Sequence, residues 1–123
     1  MKKMILLISF IVGGSAGAHT FAAKEIYGGR AAQVTVFEDF SAHIDFECAT
    51  GEVQAGRWPT GQSRIAATGL FTPTLVGRSQ KATYKANIDV SRGLMTLAVK
   101  VGNKRAVNYQ LVRDQISEMK RCR

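Results

Sequence analysis

Hydrophobic and polar residues alternate most strictly between Lys81 and Val90. Ala82, Tyr84, Ala86, Ile88 and Val90 share one face, and Lys81, Thr83, Lys85, Asn87 and Asp89 share the other. Leu94–Val101 repeats the pattern with Met95, Leu97, Val99 and Val101, and Ala106–Val112 continues it. A two-residue turn at Arg92-Gly93 predicts that Ile88 faces Leu97 and Tyr84 faces Val101. It also sets Lys85 directly opposite Lys100 on the polar face. For the next connection, a three-residue loop Gly102-Asn103-Lys104 pairs Val99 with Val107, Leu97 with Tyr109 and Met95 with Leu111. A two-residue loop would set Leu97 against Asn108. A slip of one residue flips a whole face, so the odd-length loop is preferred.

The earlier chain is less regular. Ala23–Ala32 reads as an extended lead-in broken by Gly28-Gly29. Val34 to Cys48 carries apolar residues at even positions, with Glu38-Asp39 as a bend or bulge, and leaves His43, Asp45 and Glu47 on the polar side. Thr50-Gly51-Glu52 reads as a turn, Val53–Trp58 as a short strand or edge, and Pro59-Thr60-Gly61-Gln62 as a loop. Arg64–Phe71 and Thr74–Val76 form a hairpin or one broken strand. Asp114 is placed to cap a short helix from Gln115 to Lys120. Six or seven strands of this kind predict an all-β domain, a small antiparallel sandwich or partly open barrel with a short C-terminal helix.

The N-terminal segment changes the picture. Lys2 and Lys3 precede the apolar run Met4–Val12, which small residues follow, the pattern of a bacterial secretory signal. The run is too short to span a membrane. Cleavage after Ala22 is preferred to cleavage after Ala18, so residues 1–22 are the expected signal peptide and 23–123 the exported domain, periplasmic or secreted. Cys48 and Cys122 are the two cysteines, and in an oxidising compartment they are expected to form one disulfide.

Charge is divided along the chain. Residues 23–58 hold Lys24, Arg30 and Arg57 against Glu25, Glu38, Asp39, Asp45, Glu47 and Glu52, a net of −3. Residues 59–123 hold twelve bases against Asp89, Asp114 and Glu118, a net of +9. A basic exported domain favours anionic partners and disfavours a strongly cationic target such as lysozyme. The expected binding residues are Lys81, Lys85, Lys100, Lys104 and Arg105, whose crowding suggests an anion or acidic protein surface. The alternative is a solvated wall whose lysines discourage edge pairing.

Candidate chemistry is sparse. His43, Asp45 and Glu47 at alternate positions would suit a divalent ion or acid–base work, but a zinc site needs three or four such ligands and no second cluster joins them. His19 would add a copper-chelating N-terminus only if cleavage fell after Ala18. No nucleophile elbow, phosphate loop or dinucleotide fingerprint occurs. Trp58 is either a core plug or an exposed contact. The expectation is a non-enzymatic interaction protein, with no metal or cofactor and no specific nucleic acid, binding an acidic protein or anionic envelope component. The alternatives are a subunit of a surface appendage or adhesin assembled by strand pairing, and a small metal-dependent enzyme using His43, Asp45 and Glu47.

Overall fold

Eight antiparallel strands follow one another around a closed ring: β1 (Ala23–Gly28), β2 (Ala32–Phe37), β3 (Ala42–Phe46), β4 (Ala49–Val53), β5 (Arg64–Pro73), β6 (Gln80–Asp89), β7 (Leu94–Val101) and β8 (Val107–Arg113). The computed structural model describes residues 21–75 and 77–119. The all-β expectation holds, but the sheet is a closed barrel rather than a sandwich or open barrel. The lead-in is a paired strand, β1. The stretch Val34 to Cys48 is two strands, because Glu38–Ser41 reverses the chain completely. Phe37 N–H donates to Ser41 O at 2.9 Å, and Asp39 Oδ1 accepts from Ser41 N–H and Oγ. Arg64–Pro73 is one unbroken strand.

Inward residues fill the barrel. Val34, Val36, Ile44, Val53, Ile65, Tyr84, Met95, Leu97 and Leu111 are buried in one cluster. The wall is apolar inside and polar outside, the reverse of a barrel whose exterior meets lipid along its length. Tyr84 reaches farthest, its hydroxyl donating to Leu70 O at 2.6 Å. Gly51 is not a turn residue but an interior position of β4, where any Cβ would collide with the Tyr84 hydroxyl. Gly69 likewise has no room for a Cβ, which would strike the Glu52 carbonyl oxygen as β4 and β5 close together.

The two ends are sealed differently. Trp58 is not on a strand but in the β4–β5 loop, 1% exposed. Its N–H donates to Phe40 O and the Gly56 N–H to Asp39 O, both at 2.9 Å, tying this loop to the β2–β3 turn. At the opposite end Phe46 packs on Phe71 and on Tyr109, each pair of rings 5.4 Å apart.

The ring closes between β1 and β8 through two residue pairs, Tyr27–Arg113 and Gly28–Val112. Arg113 donates from Nε and Nη2 to the Tyr27 hydroxyl at 3.3 and 3.2 Å. The expected C-terminal helix does not form over Gln115–Met119. Asp114, at φ 65°, donates its N–H to Ile26 O instead of capping a helix. Ser117 then donates its N–H to Gln33 Oε1 at 2.9 Å and its Oγ to Gly29 O at 2.6 Å. A segment this short nucleates a helix poorly, and bonds to the barrel claim its backbone first. It lies so close over β1 that a Cβ at Gly28 would meet the Gln115 carbonyl. Among the described residues no cysteine is free. Residues 1–20, which hold most of the expected signal peptide and His19, and Cys122, half of the expected disulfide, lie outside the described residues.

Candidate functional site

The register of the last three strands fixes where the basic residues stand. Between β7 and β8 it is the expected one, with Val99–Val107, Leu97–Tyr109 and Met95–Leu111 paired. Between β6 and β7 it differs by two residues, so Ile88 faces Met95, and Lys85 faces Ala98 rather than Lys100. The loop is Val90–Gly93, not Arg92-Gly93 alone. Asp89 Oδ1 accepts from Ser91 Oγ and Arg92 N–H, Gly93 N–H returns to Asp89 O at 2.8 Å, and Gly93 takes φ 67°. An even shift keeps the faces, so all three lysines still point outward.

Lys100 stands opposite Thr83, and Lys81 and Lys85 lie two residues to either side of Thr83 on the same face. Each is therefore diagonal to Lys100, roughly 7–8 Å away between Cα atoms. Direct like-charge apposition is avoided, yet three ammonium groups surround one threonine. Lys104 and Arg105 are exposed in the β7–β8 loop beyond. None of these five makes an ion pair with a described residue. The wall around Lys85 and Lys100 is made of the small residues Ala66, Thr68, Thr83 and Ala98, while Lys81 stands across from the exposed Leu70.

The acidic part of the chain forms the other flank. In a closed ring of eight, β3 and β7 are four strands apart in either direction, so the two flanks face opposite ways. His43 is drawn together with Asp45 and, from β4, Glu52, its direct cross-strand partner. Glu47 stands apart in the exposed β3–β4 turn. The His43 ring donates from Nδ1 to Glu52 Oε2 and from Nε2 to Asp45 Oδ1 at 3.0 Å. The hydrogen bond to Glu52, aided by the charges of Glu52 and Asp45, raises its pKa to about 9 against the opposing effect of burial. These contacts favour the charged ring, an imidazolium bridging two carboxylates. Among the described residues no three His, Cys, Asp or Glu side chains are arranged to hold a metal ion.

Elsewhere, a shallow groove of about 590 Å³ crosses the outer wall where Arg64, Asn87, Thr96 and Gln110 stand in one row from β5 to β8. Thr96 Oγ1 already donates to Gln110 Oε1 at 3.2 Å, and Asp89, also in the lining, pairs with Arg92 at 3.9 Å. Burial raises the Tyr109 hydroxyl pKa, with help from Glu47, and raises that of Tyr84 further. Both phenols remain neutral core groups with a polar tip. Among the described residues no helix is long and apolar enough to cross a membrane. Comparison with protein-family models, with curated proteins and with solved structures finds no match for this chain.

Proposed function

We propose that this is an exported, non-enzymatic interaction protein, periplasmic or secreted, that binds an anionic partner through the outer face of β6–β7 and the β7–β8 loop. The partner is an acidic protein surface or an anionic component of the envelope. The observation that carries the reading is the contrast in charge pairing. His43 on one flank is bonded to two carboxylates, whereas Lys81, Lys85, Lys100, Lys104 and Arg105 make no ion pair with a described residue. Like charges crowded without compensation cost stability, and a partner that neutralises them recovers it.

Export follows from the N-terminal pattern, with cleavage after Ala22. A Cys48–Cys122 disulfide accompanies it, supported by Cys48 not being a free thiol. N-terminal sequencing of protein recovered from the periplasm or medium tests the first, and thiol titration of the native protein the second. Capture by an anionic resin, with elution read against salt, tests the binding face. The Lys81→Gln, Lys85→Gln, Lys100→Gln triple variant should elute at distinctly lower salt, because exposed charges are screened over about 8 Å at physiological ionic strength. Unchanged elution would reduce the lysines to a solvated wall.

A second reading, assembly with other subunits by strand pairing, draws on the seam. β8 meets β1 over two residue pairs, so Val107–Gln110 has no strand partner on that side among the described residues. Sedimentation that shifts with concentration, and stops shifting when Asn108→Pro blocks the edge, would favour it.

A further inference from the structure

We propose that the anionic partner is a lipid bilayer, and that the barrel docks on it end-on through the β5–β6 and β7–β8 loops. This rests on the anionic-partner reading above and names the partner's class. The strands alternate in direction, so both loops lie at the Phe46–Tyr109 end, on the contiguous arc from β5 to β8. Aliphatic side chains project there: Leu75 is 65% exposed, Val107 53% and Leu70 48%. Leu70 stands directly across from Lys81 on the wall. Arg78, Lys104 and Arg105 are exposed on the same two loops, with Lys81 and Lys100 just below them. The acids nearest this end, Glu47 and the His43-bonded Glu52 that stands across from Leu70, belong to its β1–β4 side.

A cationic wall alone would suit any polyanion. Exposed leucines between the cations do not. A soluble polyanionic chain has nothing apolar to offer Leu75, and an aqueous setting leaves its exposure unfavourable. The interface of an anionic bilayer takes both, aliphatic groups entering the acyl boundary while Lys and Arg meet the headgroups. A protein partner fits less well, because protein interfaces centre on aromatic or arginine anchors in well-packed pockets and are depleted in lysine. The exposed aliphatic residues at the opposite end, such as Val90 and Leu94, lie beside the Asp89–Arg92 ion pair (3.9 Å), whose balanced charges offer an anionic surface no net attraction. Charge therefore selects which end faces the lipid.

The test is co-sedimentation of the full exported chain with vesicles of phosphatidylglycerol and phosphatidylcholine, against vesicles of phosphatidylcholine alone. The expected result is binding to the anionic vesicles only, weakening with salt. Neutralising the loop with Lys104→Gln and Arg105→Gln should lower partitioning roughly 30-fold. Leu75→Ser, at an exposed loop position that leaves the core intact, should lower it roughly tenfold. Two results overturn bilayer docking but leave the anionic-partner reading standing. One is vesicle binding indifferent to Leu75→Ser. The other is no vesicle binding while heparin, or an acidic protein, is bound in a way that needs Lys81 and Lys100. Failure to bind vesicles, heparin and acidic protein alike would remove both.

Discussion

The β3–β4 flank and the β6–β7 flank are made of the same antiparallel wall, with the same outward spacing, and they treat charge in opposite ways. On the first, an imidazolium sits between two carboxylates, Gly51 leaves its space to the Tyr84 hydroxyl, and the adjoining β5 packs so closely that Gly69 admits no Cβ beside the Glu52 carbonyl. On the second, three lysines crowd around Thr83 beside the exposed Leu70. Charges that find partners within the fold serve the fold. Charges that do not are available to something else. The first flank should therefore respond to mutation in stability, and the second in binding.

The largest effect is expected where the first flank meets the C-terminus. Breaking the proposed Cys48–Cys122 bond, which closes a loop of about 75 residues, should lower stability by up to about 4 kcal/mol on the chain-entropy account. Urea unfolding followed through the buried Trp58, with and without reductant, measures it. An unchanged midpoint would show that no such bond holds the barrel. Next, Gly69→Ala should cost about 3 kcal/mol, because its Cβ meets the backbone oxygen of Glu52 and not a side chain that can move. The comparison substitution on the second flank, Thr83→Ser, should stay within about 0.5 kcal/mol. Similar losses at both positions would erase the distinction.

The pH dependence of the first flank follows from His43. Its folded pKa, about 9, lies above the unfolded value of 6.5. The contribution is fully present below pH 6.5 and is lost as pH rises from there through 9. Discounted for the solvent-exposed side of Glu52, it is on the order of 1–2 kcal/mol. Wild type should lose that much more stability than His43→Gln between pH 6 and pH 9.5. Parallel curves would mean that the bridge contributes nothing. The smallest effect belongs to the second flank. Lys100→Glu converts two diagonal repulsions into attractions and should stabilise the barrel by roughly 0.2–0.5 kcal/mol, while weakening capture by an anionic surface. Loss of stability together with retained binding would invert the comparison.

Periodicity reveals faces and misses even-numbered events. The four-residue turn Glu38–Ser41 leaves even positions inward on both sides, so β2 and β3 look like one strand. The four-residue loop after Asp89 shifts the β6–β7 register by two, which moves no residue to the other face but separates Lys85 from Lys100. Asp89, capping that loop with its side chain, was the available signal. The odd-length reading of the β7–β8 connection gave the right register because there a slip would have flipped the face. Gly51 looked like a turn and is a cavity-maker for Tyr84, an interaction between strands that no local pattern encodes. The same holds for Glu52, which joins His43 only once β3 and β4 are placed side by side, for Gly28, whose bareness admits the C-terminal segment, and for Gly29, whose bareness admits β8 at Gln110 and Leu111.

The narrow β1–β8 closure bears on how the chain comes into being. Synthesis delivers β1 first, yet its second neighbour arrives last, Tyr27 and Arg113 being 86 residues apart. Hairpins such as β5–β6 and β6–β7 form in about 1–10 μs once made. β1 must wait for the whole meander. During that interval its open edge will accept any unpaired strand, and the nearest one of matching sequence is the β8 of another newly made copy. A strand-exchanged dimer is therefore the by-product this topology favours at high expression, one whose two seams are chemically identical to the single seam of the monomer.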